Sequence, residues 1–295
     1  MYVSKNVLFV MLILCYAAWG GGMIAMKYAF VSFSAIHAVF ARVAVAGCIY
    51  VLLMPKWLPL PYQKGDWKYL LLLCMFEPVL FFLFETFSMQ YTSASQGGVI
   101  AACFPIVTAV AAWLILGEKL ERRMIVAIGL TVFGVAGTAA FADGSASAPN
   151  PLLGNLLMIG AVFSSSGYAV CVRFISRRYS FLAISSIQAI GGSIFFLPFF
   201  FTEPLPVSVE LSALAGLLYL GVCVGFLVYL CFNFALQHLE AGVVALLGNL
   251  IPVFTLFFAY ALLGERLNGI QMVSVCLTLT GVLLATAPVG KKKKE

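Results

Sequence analysis

Long apolar runs, each closed by charges, prolines or small polar residues, organise the whole chain. They predict helices near 7 to 26, 34 to 54, 67 to 90, 94 to 116 and 123 to 141. After the polar stretch Ala142 to Pro151, five more are expected near 152 to 173, 181 to 201, 211 to 235, 241 to 263 and 269 to 287. These runs match the about 20 residues that a helix needs to cross the roughly 30 Å hydrocarbon layer. Helix rather than strand follows from their length and from the need to satisfy every backbone N–H and C=O away from water. The expected fold class is an all-α integral membrane protein of ten transmembrane helices.

Composition sharpens that picture. Hydrophobic residues make up 63% and charged residues 9% of the 295 positions, against roughly 45–50% and about 25% in soluble domains. One soluble core could not bury so much apolar surface. The first run, with Lys5 before it, is too long for a secretory signal and reads as a spanning helix. The eight cysteines all fall in apolar runs without a CxxC pair or a His/Cys cluster, so packing is their expected role and no metal or cofactor is expected.

Lysine and arginine placement gives orientation, since these residues collect on cytoplasmic loops. With the N-terminus inside, fourteen of the seventeen fall on the cytoplasmic face, only Lys27 and Arg266 fall on the other, and Arg42 lies within the second span. Both termini are then cytoplasmic. The net charge of +6 is divided among short segments, which suits anionic lipid headgroups and not nucleic acid.

The chain also repeats itself. Displaced by 147 positions, Ala94 meets Ala241, Pro105 meets Pro252, Gly134 meets Gly281, and the segment LGEKL at Leu116 to Leu120 meets LGERL at Leu263 to Leu267. A displacement of 146 sets Lys27 opposite Arg173 and Arg42 opposite Gln188. Five spans being an odd number, the second unit is expected to be inverted relative to the first, a recurring plan in secondary transporters. The expected units are residues 1–145 and 146–290, followed by a basic cytoplasmic tail at 291–295.

Candidate chemistry is sparse. Ionisable groups inside a span are costly unless they face protein, water or a partner, and three lie well inside: Arg42 in the second span, Glu77 and Glu85 in the third. At about 100° per residue, Glu77, Phe81, Phe84, Glu85 and Ser88 share one arc of the third helix. In one reading a glutamate binds a substrate ammonium or exchanges a proton while Phe81 and Phe84 hold its apolar part. In the other, Arg42 and Glu77 form a structural ion pair. Glu77 precedes Pro78, which predicts a kink. The positions equivalent to Glu77 and Glu85 are Val224 and Phe232, so the acidic feature is confined to the first half. Further candidates are Tyr16, Trp19 and Met23 on the first helix, Tyr168 on the sixth, Tyr229 and Asn233 a turn apart on the eighth, and Asn249 before Pro252. His37 and His238 are assigned no role. The runs Gly20 to Gly22, Gly97 to Gly98 and Ser164 to Ser166 read as close-packing surfaces, and Glu118 and Glu265 as helix-end residues.

Taken together, the FAR segment Phe40 to Arg42, the TSASQGGVI stretch leading to Pro105, the paired LGE[KR]L segments and the YLGV run Tyr219 to Val222 before Tyr229 and Asn233 resemble the EamA family of the drug/metabolite transporter superfamily. The resemblance implies two inverted bundles around a central cavity, with the fifth and tenth helices peripheral and often in dimer contacts. It also implies alternating access, and export in many bacterial members. It does not select a substrate. The expected function is therefore a secondary transporter, working as an exporter, of a small amphipathic metabolite, with an amine-bearing compound such as an amino acid or organic cation favoured. The alternative is a passive channel or lipid scramblase. No nucleophile with a paired base is evident, so an enzyme is not expected. The expected location is a bacterial inner membrane, although Lys292 and Lys293 also fit a eukaryotic dilysine retrieval signal.

Overall fold

A computed structural model of the protein describes residues 5–107, 110, 114, 122–141, 148–239, 244 and 247–286. Among these residues there is no β-strand, and the principal helical segments are α1 (Lys5–Ala29), α2 (Ala35–Leu52), α3 (Asp66–Tyr91), α4 (Ala94–Val107), α5 (Arg122–Ala140), α6 (Pro151–Ile175), α7 (Phe181–Phe200), α8 (Leu211–Ala235), α9 (Leu250–Leu263) and α10 (Gly269–Thr286), with a short 3-10 turn, Met54–Lys56, between α2 and α3. Six of them, α1, α2, α3, α6, α7 and α8, are long and apolar enough to cross a membrane. The remaining parts of the fourth and ninth expected spans, with Glu118 and the basic tail, lie outside the described residues.

Small polar residues start the helices where the apolar runs begin. Ser34 and Ser180, which match under the 146 displacement, accept 3.2 Å hydrogen bonds from the amides of His37 and Ala183 at the starts of α2 and α7. Such caps satisfy amides that have no partner within the helix. Gly264, at φ 66°, closes α9 in the left-handed conformation that glycine accepts without a steric penalty.

The packing pairs obey a two-fold pattern. α2 packs on α7, α4 on α9 and α5 on α10; α1 packs on α8 as α6 packs on α3. The α5–α10 contact is reciprocal at the residue level. A methyl group on Gly134 would meet the Thr278 side chain and, at 2.6 Å, the Ser274 carbonyl; one on Gly281 would meet the Thr131 side chain and, at 2.7 Å, the Ala127 carbonyl. Thr131 and Thr278, and Ala127 and Ser274, are themselves 147 positions apart. Small residues here let the two backbones touch, the usual basis of close helix association in lipid. The outward faces of these two helices remain apolar, with Phe133, Val132, Val273 and Met272 exposed.

The connecting segments sort to two ends. At one, Ser32 accepts from the Glu210 amide (3.0 Å), the Asn150 amide donates to the Tyr91 carbonyl (3.2 Å), and Asn268 donates to the Phe141 carbonyl (3.3 Å). At the other, Arg178 bonds both oxygens of Asp66 (3.0 and 3.1 Å) and the Gln63 amide oxygen (2.7 Å).

Candidate functional site

The site is built on a defect in α3. At Glu77 the backbone leaves helical geometry (φ −150°, ψ 116°) immediately before Pro78, and the flanking turns, Met75–Leu80, are of the wide π type. Proline removes a donor from the helix ladder, so nearby carbonyls need other partners, and none can come from lipid. They come from the second half of the chain: Ser164 on α6 donates to the Phe76 carbonyl (2.6 Å), and Gln188 on α7 donates to the Glu77 carbonyl (3.2 Å). α8 carries a wide-turn stretch at the equivalent place, Tyr219–Val228, but with Val224 buried where α3 has Glu77. Wide turns of this kind recur at functional sites.

The break turns the Glu77 side chain toward α6 and α8. Tyr229 donates to one carboxylate oxygen in a very short hydrogen bond, and Ser165 donates to the other at 3.2 Å. Tyr168 donates to Gln188 (3.1 Å) and lies 3.3 Å from the Asn233 amide oxygen, while Asn233 donates to Ser185 (2.8 Å). Trp19 on α1 packs against Tyr229 and Phe232, with ring centroids 5.4 and 5.6 Å apart.

Arg42 lies beside this group. Its Nη1 donates to Glu85 at 2.5 Å, and its guanidinium carbon sits 3.8 Å over the Phe82 ring. Both charged side chains are 2% exposed. A cavity of about 20 Å³ is lined by Arg42, Pro78, Phe82, Ser185, Gln188 and Tyr229, among others. That is room for water, far below the several hundred Å³ of a typical metabolite site.

Each end is also tied by hydrogen bonds among the described residues. At the Ser32 end, Glu265 accepts from the amides of Ala94 (3.0 Å) and Ser95 (2.9 Å), so its carboxylate sits on the positive end of α4. Lys27 donates to the Thr92 carbonyl at 2.6 Å, and Asn155 donates to Gln96 at 2.7 Å. At the opposite end, Tyr179 adds a 3.0 Å hydrogen bond to Asp66. Burial, then the Asp66 carboxylate, push the Tyr179 phenol up to about 12, so it stays a donor at neutral pH.

The family profile of the EamA-like transporter family matches the chain twice, over residues 7–140 and 152–287. The chain belongs to that family. Among its relatives, the uncharacterized transporter YetK of Bacillus subtilis is 25% identical over 220 residues, 73% of this chain and 66% of that protein. An uncharacterized transporter of Archaeoglobus fulgidus is 23% identical over 273 residues, 91% and 93% of the two chains. A chloroplastic WAT1-related protein of Arabidopsis thaliana is 25% identical over 284 residues, 92% and 67%. A crystal structure with 16% identity superposes over 96% of this chain and 99% of its own with a TM-score of 0.65, which supports the fold. This EamA-like chain is a multi-pass membrane protein of the transporter type.

Within this EamA-like fold the structure gathers Trp19, Arg42, Glu77, Glu85, Tyr168, Tyr229 and Asn233 into one region, but two expectations need correction. Arg42 hydrogen-bonds Glu85 and not Glu77, because the non-helical residue at the break swings Glu77 away from the face it would share with Glu85 in a continuous helix. Phe82, not Phe81 or Phe84, faces the cavity; Phe84 packs on Gly160 of α6. Asn249 is buried at the start of α9, beside the layer of Tyr16, Leu247, Leu250 and Ile251. The serine run serves hydrogen bonding as well as close packing. Ser165, Ser185, Gln188 and Phe82 are site residues that periodicity missed. The signals for two of them were the alignment of Gln188 with Arg42 and the serines opposite a proline-broken helix.

Proposed function

We propose that this chain is a secondary transporter that moves a small amphipathic, amine-bearing metabolite by alternating access between two inverted five-helix halves. The observation that carries the reading is Glu77: a buried carboxylate on the broken helix of one half, held by hydroxyl groups of the other half, Ser165 and Tyr229. Arg42 and Glu85 neutralise each other, so Glu77, when ionised, gives the centre one negative charge in excess. Trp19 and Phe232 supply aromatic surface beside it. An ammonium group with an apolar tail matches that combination.

The double family match, the two-fold packing pattern and the sorted connecting segments support the inverted arrangement. The lysine and arginine count supports cytoplasmic termini, and the resemblance to bacterial EamA members supports an inner-membrane exporter. The small size of the central cavity, about 20 Å³, favours a carrier over an open channel.

The test is counterflow in proteoliposomes with labelled amino acids and aliphatic amines. The expected result is saturable exchange that Glu77→Gln lowers by about tenfold or more, the loss of one charge-assisted contact worth at least ~1.4 kcal/mol. Full exchange in Glu77→Gln, or flux indifferent to substrate on the far side, overturns the proposal.

A further inference from the structure

Resting on the amine-transport reading, we infer that Arg42 is the subsite for a carboxylate carried by the same substrate, so that the chain selects zwitterions, of which α-amino acids are the simplest, over plain organic cations. A guanidinium has five N–H donors in a fixed plane. Arg42 is 1% exposed, and its Nη1 is committed to Glu85 while the ring face of Phe82 covers the carbon. Its Nε–H is buried and has no hydrogen-bond partner among the described residues. A buried charged donor left without a partner costs more than almost any other polar defect.

The surroundings indicate what would satisfy it. Arg42 is the cation among the residues lining the central cavity. The other polar lining groups are already engaged: Ser185 accepts from Asn233, Gln188 bridges the Glu77 carbonyl and Tyr168, and Tyr229 donates to Glu77. Phe82 lies under the guanidinium and also 6.1 Å from the Tyr229 ring, whose hydroxyl donates to Glu77, so Arg42 on the cavity wall and Glu77 behind Tyr229 are a short step apart. A ligand with an ammonium and a carboxylate on neighbouring atoms can meet both. A simple amine that displaces Tyr229 from Glu77 would leave Nε unsatisfied, whereas a zwitterion satisfies it. A site whose buried polar group goes unpaired with the wrong ligand discriminates strongly against that ligand. Entry requires the cavity to widen, and the wide turns of α3 and α8 that flank it are the local weak points of the helix ladder.

Three probes separate the groups: L-leucine, isopentylamine (leucine without its carboxylate) and 4-methylpentanoate (leucine without its amine). Binding to the purified full-length protein is measured calorimetrically for the wild type, for Arg42→Lys, which keeps the charge but loses the planar fork, and for Arg42→Gln/Glu85→Gln, which removes the pair without stranding a charge. The expected result is leucine bound about ten- to a hundredfold more tightly than isopentylamine by the wild type, as one charge-assisted hydrogen bond allows. In both variants that preference should fall to within about threefold while isopentylamine affinity is retained, the retained affinity also reporting an intact fold. Equal wild-type affinity for leucine and isopentylamine overturns the carboxylate subsite and leaves the amine reading standing, as does a leucine preference that survives the double substitution. Arg42-dependent binding of 4-methylpentanoate without binding of either amine supports the subsite and overturns the amine reading. Binding of none of the three overturns both.

Discussion

Arg42 and Glu85 show what a buried ion pair does in a lipid-embedded protein. With both side chains 2% exposed, neither has water to fall back on. Breaking a buried pair from one side leaves a stranded charge and costs about 3–5 kcal/mol, while replacing both partners with neutral groups costs far less. Arg42→Gln and Glu85→Gln should therefore each lower thermal stability in detergent markedly, and the double variant should recover most of the loss. Additive effects in that cycle would show that the two side chains do not depend on each other. Which glutamate takes the arginine was not legible in the sequence. Helical periodicity puts Glu77 and Glu85 on one face, and one extended residue before Pro78 separates them. The presence of three ionisable groups inside spans was legible, because charge in an apolar run needs no structure to be noticed.

At the scale of elements, the chain solves the problem of helix ends by having one half cap the other. Glu265 follows α9 in the LGERL segment, yet its carboxylate accepts from the first amides of α4, joining Ser93, which caps the same helix through the Gln96 amide. The sequence marks Glu265 as a helix-end residue by its place after an apolar run, but the helix it serves is about 170 positions earlier, a relation that only packing of α9 on α4 creates. Loss of a capping acceptor costs about 0.5–2 kcal/mol, and loss of a charge at a helix N-terminus about 0.3–1 kcal/mol. In Glu265→Ala the amides of Ala94 and Ser95 should exchange hydrogen with solvent severalfold faster, and in Glu265→Gln by less, since an amide oxygen can still accept. Hydrogen-exchange mass spectrometry on peptides covering α4 reads this directly. Unchanged exchange in Glu265→Ala would mean that Ser93 alone holds the helix start.

For the whole molecule, the all-helical apolar character and the double family match were visible in the apolar runs and in matches 147 positions apart, because both follow from short-range composition and from duplication. The small size of the central cavity was not visible, since it depends on how the broken α3 packs against the wide-turned α8. The repeat and the end-to-end sorting make the strictest demand. If the halves are inverted, the α1–α2 and α7–α8 connections share one side of the membrane, as the Glu210 amide to Ser32 hydrogen bond requires, and the α2–α3 and α6–α7 connections share the other, as the Asp66 to Arg178 pair requires. A hydrogen bond or an ion pair at these distances cannot span a hydrocarbon layer about 30 Å thick. By the tendency of lysine and arginine to collect on cytoplasmic loops, Lys56, Lys64, Arg177 and Arg178 on the second pair of connections predict a cytoplasmic side there. Single cysteines introduced into a cysteine-free background at Ser32 and Ser208 should accordingly react with a membrane-impermeant maleimide on intact bacterial cells, and cysteines at Lys64 and Arg177 only after the membrane is opened. Labelling of Lys64→Cys but not Arg177→Cys from outside would break the inverted arrangement, whereas labelling of both with protection of Ser32→Cys and Ser208→Cys would keep the inversion and reverse its orientation.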